Sequence, residues 1–337
     1  MTPLERMRNT FAGRPVDRLA VQPIVMTFAA RFAGIPYRDY VTDYRQLVSA
    51  QLRVAEAFGI DLASLCSDPC REAADCGATI RWFADQPPAH AASEALLRDK
   101  RTLATLKLPD PLGGGRMHDR VKGVALFRER VGGFLPILGW VEGPVAQAAD
   151  LRGIDAVMLD LVDDPAFATD LFEFVTALEL AFAKAQVEAG ADIIGVGDAA
   201  SSLVSPGLYT EYVLPYQQRL IAGIHALGCP VRLHICGNID HLLPGIATLG
   251  VEMIDVDYPS DLAKVRPALG PEVTILGNLE PVRYLLNGTP AQIHTELTRC
   301  HALAGERFIV GAGCEVPPHT PPENLHALAA YAAAAAG

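Results

Sequence analysis

Three residues of this chain can hold a metal ion and leave it an open position. The string VRLHICGN ends an apolar, β-rich run with His234 and Cys236, and FIVGAGCEVPPHTP sets Cys314 at the end of a later one, 78 residues further on. Alternate residues of a strand point to the same side, so His234 and Cys236 offer their donor atoms together. Imidazole and thiolate are zinc donors, and three protein ligands leave a tetrahedral zinc one free position, the arrangement of a catalytic site rather than a closed structural one. The other cysteines read differently. Cys229 and Cys300 sit in apolar surroundings, where a cysteine usually serves as a small hydrophobe. Cys66, Cys70 and Cys76 are spaced by four and six residues, unlike the paired C-x-x-C of a zinc knuckle, so a second metal site there is the weaker reading, with Cys70 at the edge of the first site. His319, five residues past Cys314, is a candidate fourth or outlying ligand, whereas His225, His241, His301 and His326 fall in helical patterns and read as surface or structural.

The elements that must deliver these ligands alternate short extended runs with longer helical patterns. Leu4, Met7 and Phe11 have helical spacing; PVDRLAVQP then turns extended, and further extended runs cover 61–66, 135–141, 192–196, 231–235, 251–256, 273–276 and 307–310. Helical patterns cover 165–189, 205–226 and 291–303, and the Ala-rich end forms a closing helix with Asn324 near its start. Eight extended runs with helices between the later ones predict the α/β class and a closed (β/α)8 TIM barrel, one domain over 1–337, with 83–134 as an excursion after the second strand. A doubly wound open sheet is the structural rival, but neither G-x-G-x-x-G nor G-x-x-x-x-G-K-[ST] occurs.

Polar residues gather where these runs end: Trp140 and Glu142; Asp198; His234 and Cys236; Asp255 and Asp257; Asn278 and Glu280; Cys314 and Glu315. In a barrel those ends converge on the mouth that carries the chemistry. That placement puts Asp198 and Glu142 beside the metal as catalytic carboxylates, Asp198 orienting His234 or the substrate, and makes Glu280 a resting fourth ligand that substrate displaces. Asp198 is equally well placed to cap the helix that opens near 201–206.

Composition narrows the class. Half of the 337 residues are hydrophobic, enough for a large core, and the net charge of −11 without a basic stripe argues against nucleic acid or an anionic membrane as the main partner. No run approaches the roughly 20 apolar residues of a membrane span, and MTPLERMRNT has no secretory apolar region. Seven cysteines, an odd number, fit a reducing compartment, so a cytoplasmic protein is expected.

Several segments resemble the uroporphyrinogen decarboxylase superfamily: TPLERMRNTFAGRPVDRLAV, SDPCREAADCGATI, WVEGPVAQAADLRG, GDAASSLVSPGLYTEYVLPYQQRL, HICGN and GAGCEVPPHTPPENLHAL. They span almost the whole chain in order, and His234, Cys236 and Cys314 together are similar to its zinc-dependent methylcobamide:thiol methyltransferase branch, of coenzyme M type. The resemblance implies the barrel, Zn2+ on those three residues, and a methylated corrinoid protein as the other reactant, exchanging a methyl group with a thiol or other small methyl carrier. The chain lacks the Asp-x-His-x-x-Gly corrinoid-carrying pattern, so the corrinoid arrives on a partner or free in solution. The decarboxylases grip their polycarboxylate substrate with arginines in a Met-Arg-Gln-Ala-Gly-Arg loop, whereas IVMTFAARFAG has only Arg31. The alternatives are a cofactor-free decarboxylase of another anion anchored by Asp198, and a non-catalytic tetrapyrrole-binding barrel.

Overall fold

The computed structural model describes residues 1–90 and 92–335. Its strands are β1 (Ala63–Ser64), β2 (Ile80–Arg81), β3 (Ala89–His90), β4 (Ile137–Glu142), β5 (Ile193–Gly197), β6 (Val231–Ile235), β7 (Met253–Val256), β8 (Thr274–Gly277) and β9 (Phe308–Ile309). Seven of them form one sheet in the order β1-β4-β5-β6-β7-β8-β9, with every neighbouring pair parallel. Parallel neighbours need crossovers, and these are helical: Pro144–Arg152, Ile154–Asp163 and Pro165–Ala189 before β5, Leu214–Ala226 before β6, Leu262–Leu269 before β8, and Pro290–Ala304 before β9. Helix Pro322–Ala334 closes the chain.

The extended run expected near Val21 pairs with Val310 as an isolated parallel bridge rather than as a strand. Gln22 N–H donates to Val310 O at 3.0 Å and Val310 N–H to Ala20 O at 2.9 Å. On its other side Asp61 N–H donates to Val21 O at 2.8 Å, but the Val21 N–H goes to the Asp61 carboxylate at 2.9 Å, so a side chain replaces the next rung of the ladder. Asp61 also receives Arg6 at 2.7 Å and Arg18 at 2.7 and 2.8 Å, fastening the N-terminal helix Pro3–Phe11 to β1.

Strand alternation divides the core. Ile254, Ile275 and Phe308 join the large cluster shared with the helices, while Ala20, Met253, Leu276 and Ile309 pack as a separate cluster on the opposite face of the strands. Arg232 and Asp255 are buried on that second face as a pair at 2.7 Å.

Residues 83–134 are not uniform. The antiparallel pair β2–β3 and a short 3-10 helix, Lys100–Thr105, lead to helix Arg116–Val131, which packs against helices Tyr44–Phe58 and Pro165–Ala189 and against β4. That last helix therefore packs on the sheet and on its neighbouring helices. Its N-terminus is capped from outside, because Gly115 has no side chain: Asp75 accepts from Arg116 N and Met117 N at 2.7 and 2.8 Å.

Candidate metal centre

Strand β6 presents His234, and the loop that follows it presents Cys236. Gly237 has φ +86°, a left-handed turn open to glycine, and its N–H donates to Asp257 Oδ2 at 2.7 Å. Ile239 N–H donates to Ser260 Oγ at 3.0 Å, so the HICGN turn is pinned to the loop after β7. Cys314 comes from the loop after β9, held by Gly313 N–H to Leu279 O and Val316 N–H to Ile24 O, both 2.8 Å.

These loops bring three ligand atoms together. His234 Nε2 lies 3.1 Å from Cys236 Sγ and 3.9 Å from Cys314 Sγ, and the two sulfurs are 3.8 Å apart. A tetrahedral zinc would hold two thiolate sulfurs about 3.8 Å apart and each sulfur about 3.5 Å from an imidazole nitrogen. The sulfur pair fits that spacing and the two nitrogen–sulfur distances straddle it, so the donor set fits the ion. Among the described residues this is the one such group of His, Cys, Asp or Glu.

Asp255 and Arg232 lie behind the ligands. Parallel register sets His234 opposite Asp255, whose Oδ2 is 3.7 Å from His234 Nδ1 and is itself gripped by Arg232. Burial opposes a charged His234, but the Cys314 thiolate and Asp255 outweigh it and raise its pKa. Hydrogen bonding from Cys236 and His234 pulls the Cys314 thiol down to about 4, while giving that hydrogen bond and being buried hold the Cys236 thiol up.

The ligands open onto a cavity of about 190 Å³. Its apolar wall includes Ile24, Met26, Cys66 and Trp140. Trp140 pairs in register with Gly195, where any Cβ would strike the indole; the glycines of GVG make the room it occupies. The polar wall is Asp68, Glu142 and Glu315. Arg116 holds Asp68 at 2.7 Å and, with Arg71, keeps it ionised against the cost of burial. Burial raises Glu142 to about 8 in spite of Arg71 at 2.7 Å. Burial likewise raises Glu315, which accepts from Thr27 N at 2.6 Å and Thr27 Oγ1 at 2.5 Å.

Two expected site residues stand elsewhere. Asp198 is fully buried and does not line the cavity; its carboxylate accepts from Ala146 N at 2.8 Å, Ser201 Oγ at 2.8 Å and Gln217 Nε2 at 2.7 Å. Its side chain makes no cap for its own helical turn and instead caps helix Pro144–Arg152 from outside. Only its backbone N–H meets His234, at the carbonyl oxygen. Glu280 is outside the ligand group and the cavity wall, at the start of the π-helical turn Pro281–Leu286. His319 lines a separate cavity of about 570 Å³ with Arg31 and Asp85. Of the early cysteines, Cys66 reaches the metal cavity, whereas Cys70 donates to Pro88 O at 3.4 Å.

The sequence profile of the uroporphyrinogen decarboxylase family matches residues 2–334. The chain belongs to this family. Among its relatives within the family, the methylcobamide:CoM methyltransferase MtaA of Methanosarcina barkeri is 28% identical, covering 96% of each chain. The methylated-thiol–coenzyme M methyltransferase of Methanosarcina mazei is 30% identical over 97% of this chain and 88% of its own. A solved methyltransferase from Methanosarcina mazei superposes with TM-score 0.89 at 24% identity, covering 98% of both chains, and so shares the fold.

The family resemblance did not reveal Asp255 and Asp68. Asp255 was recognisable as a strand-end acid, but its place behind His234 depends on the register of two strands; Asp68 lies in a loop whose path no periodicity marks.

Proposed function

We propose that this protein is a zinc-dependent, corrinoid-dependent methyltransferase that moves a methyl group between a corrinoid, free or on a partner protein, and a thiol or other small methyl carrier. The reading is supported most by the ligand-atom spacing of His234, Cys236 and Cys314 at the floor of a small, mainly apolar cavity. The full-length relatives that act on methylcobamides and thiols point the same way. The fold that would carry it is a closed (β/α)8 barrel of one domain over 1–337, with Val21 completing the ring between β9 and β1.

Zinc bound there would ionise a thiol at neutral pH, where a free thiol of pKa near 8.5 is only a few per cent thiolate. The chain does the rest. His234, Cys236 and Cys314 would hold the ion, Asp255 sets a carboxylate 3.7 Å behind the imidazole Nδ1, and Trp140, Met26 and Ile24 keep the sulfur's surroundings dry. Glu142, on the wall, holds its own proton near neutrality and so is not the base; the proton the thiol gives up passes to solvent. In the transfer the sulfur–carbon bond forms as the carbon–cobalt bond breaks, and the electron pair stays on cobalt. Ionisation offers roughly 30-fold more nucleophile, part of which is lost to the lower basicity of the sulfur. Alignment of sulfur, methyl and cobalt therefore supplies most of the acceleration, within the roughly 7–11 kcal/mol that orientation can provide.

A decarboxylase of polycarboxylates has less support, because Arg31, the basic residue of the N-terminal stretch, faces the larger neighbouring cavity. Metal analysis with a methylcobalamin demethylation assay over a thiol panel tests the proposal. About one zinc per chain and thiol-dependent demethylation are expected, both lost together in Cys314→Ala. Full zinc retention in Cys314→Ala, or activity independent of metal, would overturn it.

A further inference from the structure

The metal cavity is too small for one of the two reactants. At about 190 Å³ it admits a short thiol, whereas pockets that enclose a drug-sized ligand run from roughly 300 to 1,000 Å³. A corrin ring is larger still, so in a methyl transfer it lies across the mouth with its methyl group inward, held by surfaces beside the metal centre. We infer, resting on the methyl-transfer reading, that the neighbouring cavity of about 570 Å³ seats the edge of the corrin ring and takes its carboxamide side chains.

The two cavities stand back to back. At the start of helix Met26–Ala33, Met26 lines the first and Thr27 the second. Thr27 donates its N–H at 2.6 Å and its hydroxyl at 2.5 Å to Glu315, which lines the metal cavity. The same loop runs on from the ligand Cys314 to Pro318 and His319, on the wall of the larger cavity. Tyr37 adds another part of that wall, with its hydroxyl donating to Ser67 O in the loop after β1. The larger cavity is thus built at the ligand-bearing end of the sheet.

Its chemistry is mixed. Arg31 and Asp85 line one space with opposite charges, Gln86 brings both a donor and an acceptor, and Ala30, Ile35 and Pro318 supply apolar surface. A carboxylate would be drawn to Arg31 and repelled by Asp85, and an ammonium the reverse. A carboxamide suits both, being neutral with N–H donors and a carbonyl acceptor. The corrin edge carries such groups. Its acetamide arms rise on the methyl-bearing face and its nucleotide leaves from the other, so a methyl group aimed at the metal turns the amides toward the protein and the nucleotide away.

The test uses zinc-loaded protein with cyanocobalamin and with cyanocobinamide, which keeps the ring amides and lacks the nucleotide. Equilibrium dialysis without thiol reads their binding, and the KM for methylcobalamin in thiol-dependent demethylation is read in parallel. The two cyano-corrinoids are expected to bind within about threefold of each other, because the contacts are to the ring. Replacing Arg31 and Gln86, both exposed, together by Ala should weaken both corrinoids and raise the KM for methylcobalamin by about tenfold, the loss of two hydrogen bonds. The affinity of 2-mercaptoethanol for the cobalt(II)-substituted protein, read from its visible spectrum, should stay the same in that variant. Cyanocobinamide binding about tenfold more weakly than cyanocobalamin would show that the nucleotide is what is held. Corrinoid binding unmoved in the double variant, or a thiol affinity that moves in its place, would assign the cavity elsewhere. Each of these results, or a wild-type protein that binds neither corrinoid, overturns the inference while leaving the zinc and thiol chemistry untouched. Corrinoid binding as expected without any thiol-dependent demethylation would instead overturn the methyl-transfer reading and leave the corrin site standing.

Discussion

The residue that most needs its neighbours is His234. Its ring gives Nε2 to the ligand group, and Nδ1 faces Asp255, which Arg232 holds in place. Carboxylates behind a metal-binding histidine fix its tautomer and orientation, and losing one commonly costs 10–100-fold in metal affinity. Asp255→Asn should therefore weaken zinc binding by about 10–100-fold, read by competition with a chromophoric chelator; unchanged affinity would mean that the backbone alone orients the ring. Glu142 has a pH signature. Its folded-state pKa, raised to about 8, exceeds the ordinary carboxylate value, so the folded protein holds this proton where the unfolded chain has released it. Its contribution to stability is complete below about pH 4.5 and lost as pH rises through about 8, at up to about 1.4 kcal/mol per pH unit for one proton. Urea unfolding of the metal-free protein from pH 5 to 8 should show a slope shallower by about that amount in Glu142→Gln. Identical slopes would place the proton elsewhere. His234, Cys236 and Cys314 were legible because their types are few and each closes an extended run. The role of Asp198 was not, since its three donors come from residues 146, 201 and 217, which only the folded chain assembles.

At the scale of elements, hydrophobic runs located the parallel strands well. The run 231–235 is β6 to the residue, and 165–189 is one unbroken helix ended by Gly190 in a left-handed turn. The shortfall is at the ends of the sheet, where ladder geometry rather than composition decides. The run 61–66 keeps only Ala63–Ser64 as regular strand, and the run around Val21 keeps a single bridge, because Asp61 takes the Val21 N–H with its side chain. That substitution of carboxylate for carbonyl makes Asp61 a joint between the two ends of the sheet. Removing it takes from the almost fully buried Arg6 one of its two carboxylates, Asp17 being the other, and from Arg18 its carboxylate partner. Breaking a buried pair on one side typically costs about 3–5 kcal/mol. Asp61→Ala should lower the unfolding free energy by that amount in a denaturant titration, and a loss below about 1 kcal/mol would show that the joint is dispensable.

For the molecule as a whole, loops from distant parts of the chain meet at one place because parallel strands share the end from which those loops leave. Cys236 and Cys314, far apart in sequence, come within 3.8 Å for that reason alone. None of the described helices is long and apolar enough to cross a membrane. The proposal that this meeting place binds zinc through two sulfurs and one nitrogen, with a position left for a substrate sulfur, is tested most directly by X-ray absorption at the zinc edge of the loaded protein. Two sulfurs near 2.3 Å and lighter neighbours near 2.0–2.2 Å are expected in the resting protein, rising to three sulfurs when a thiol is added in saturating amount. A resting shell without two sulfurs, or a sulfur count that does not change with thiol, would contradict it.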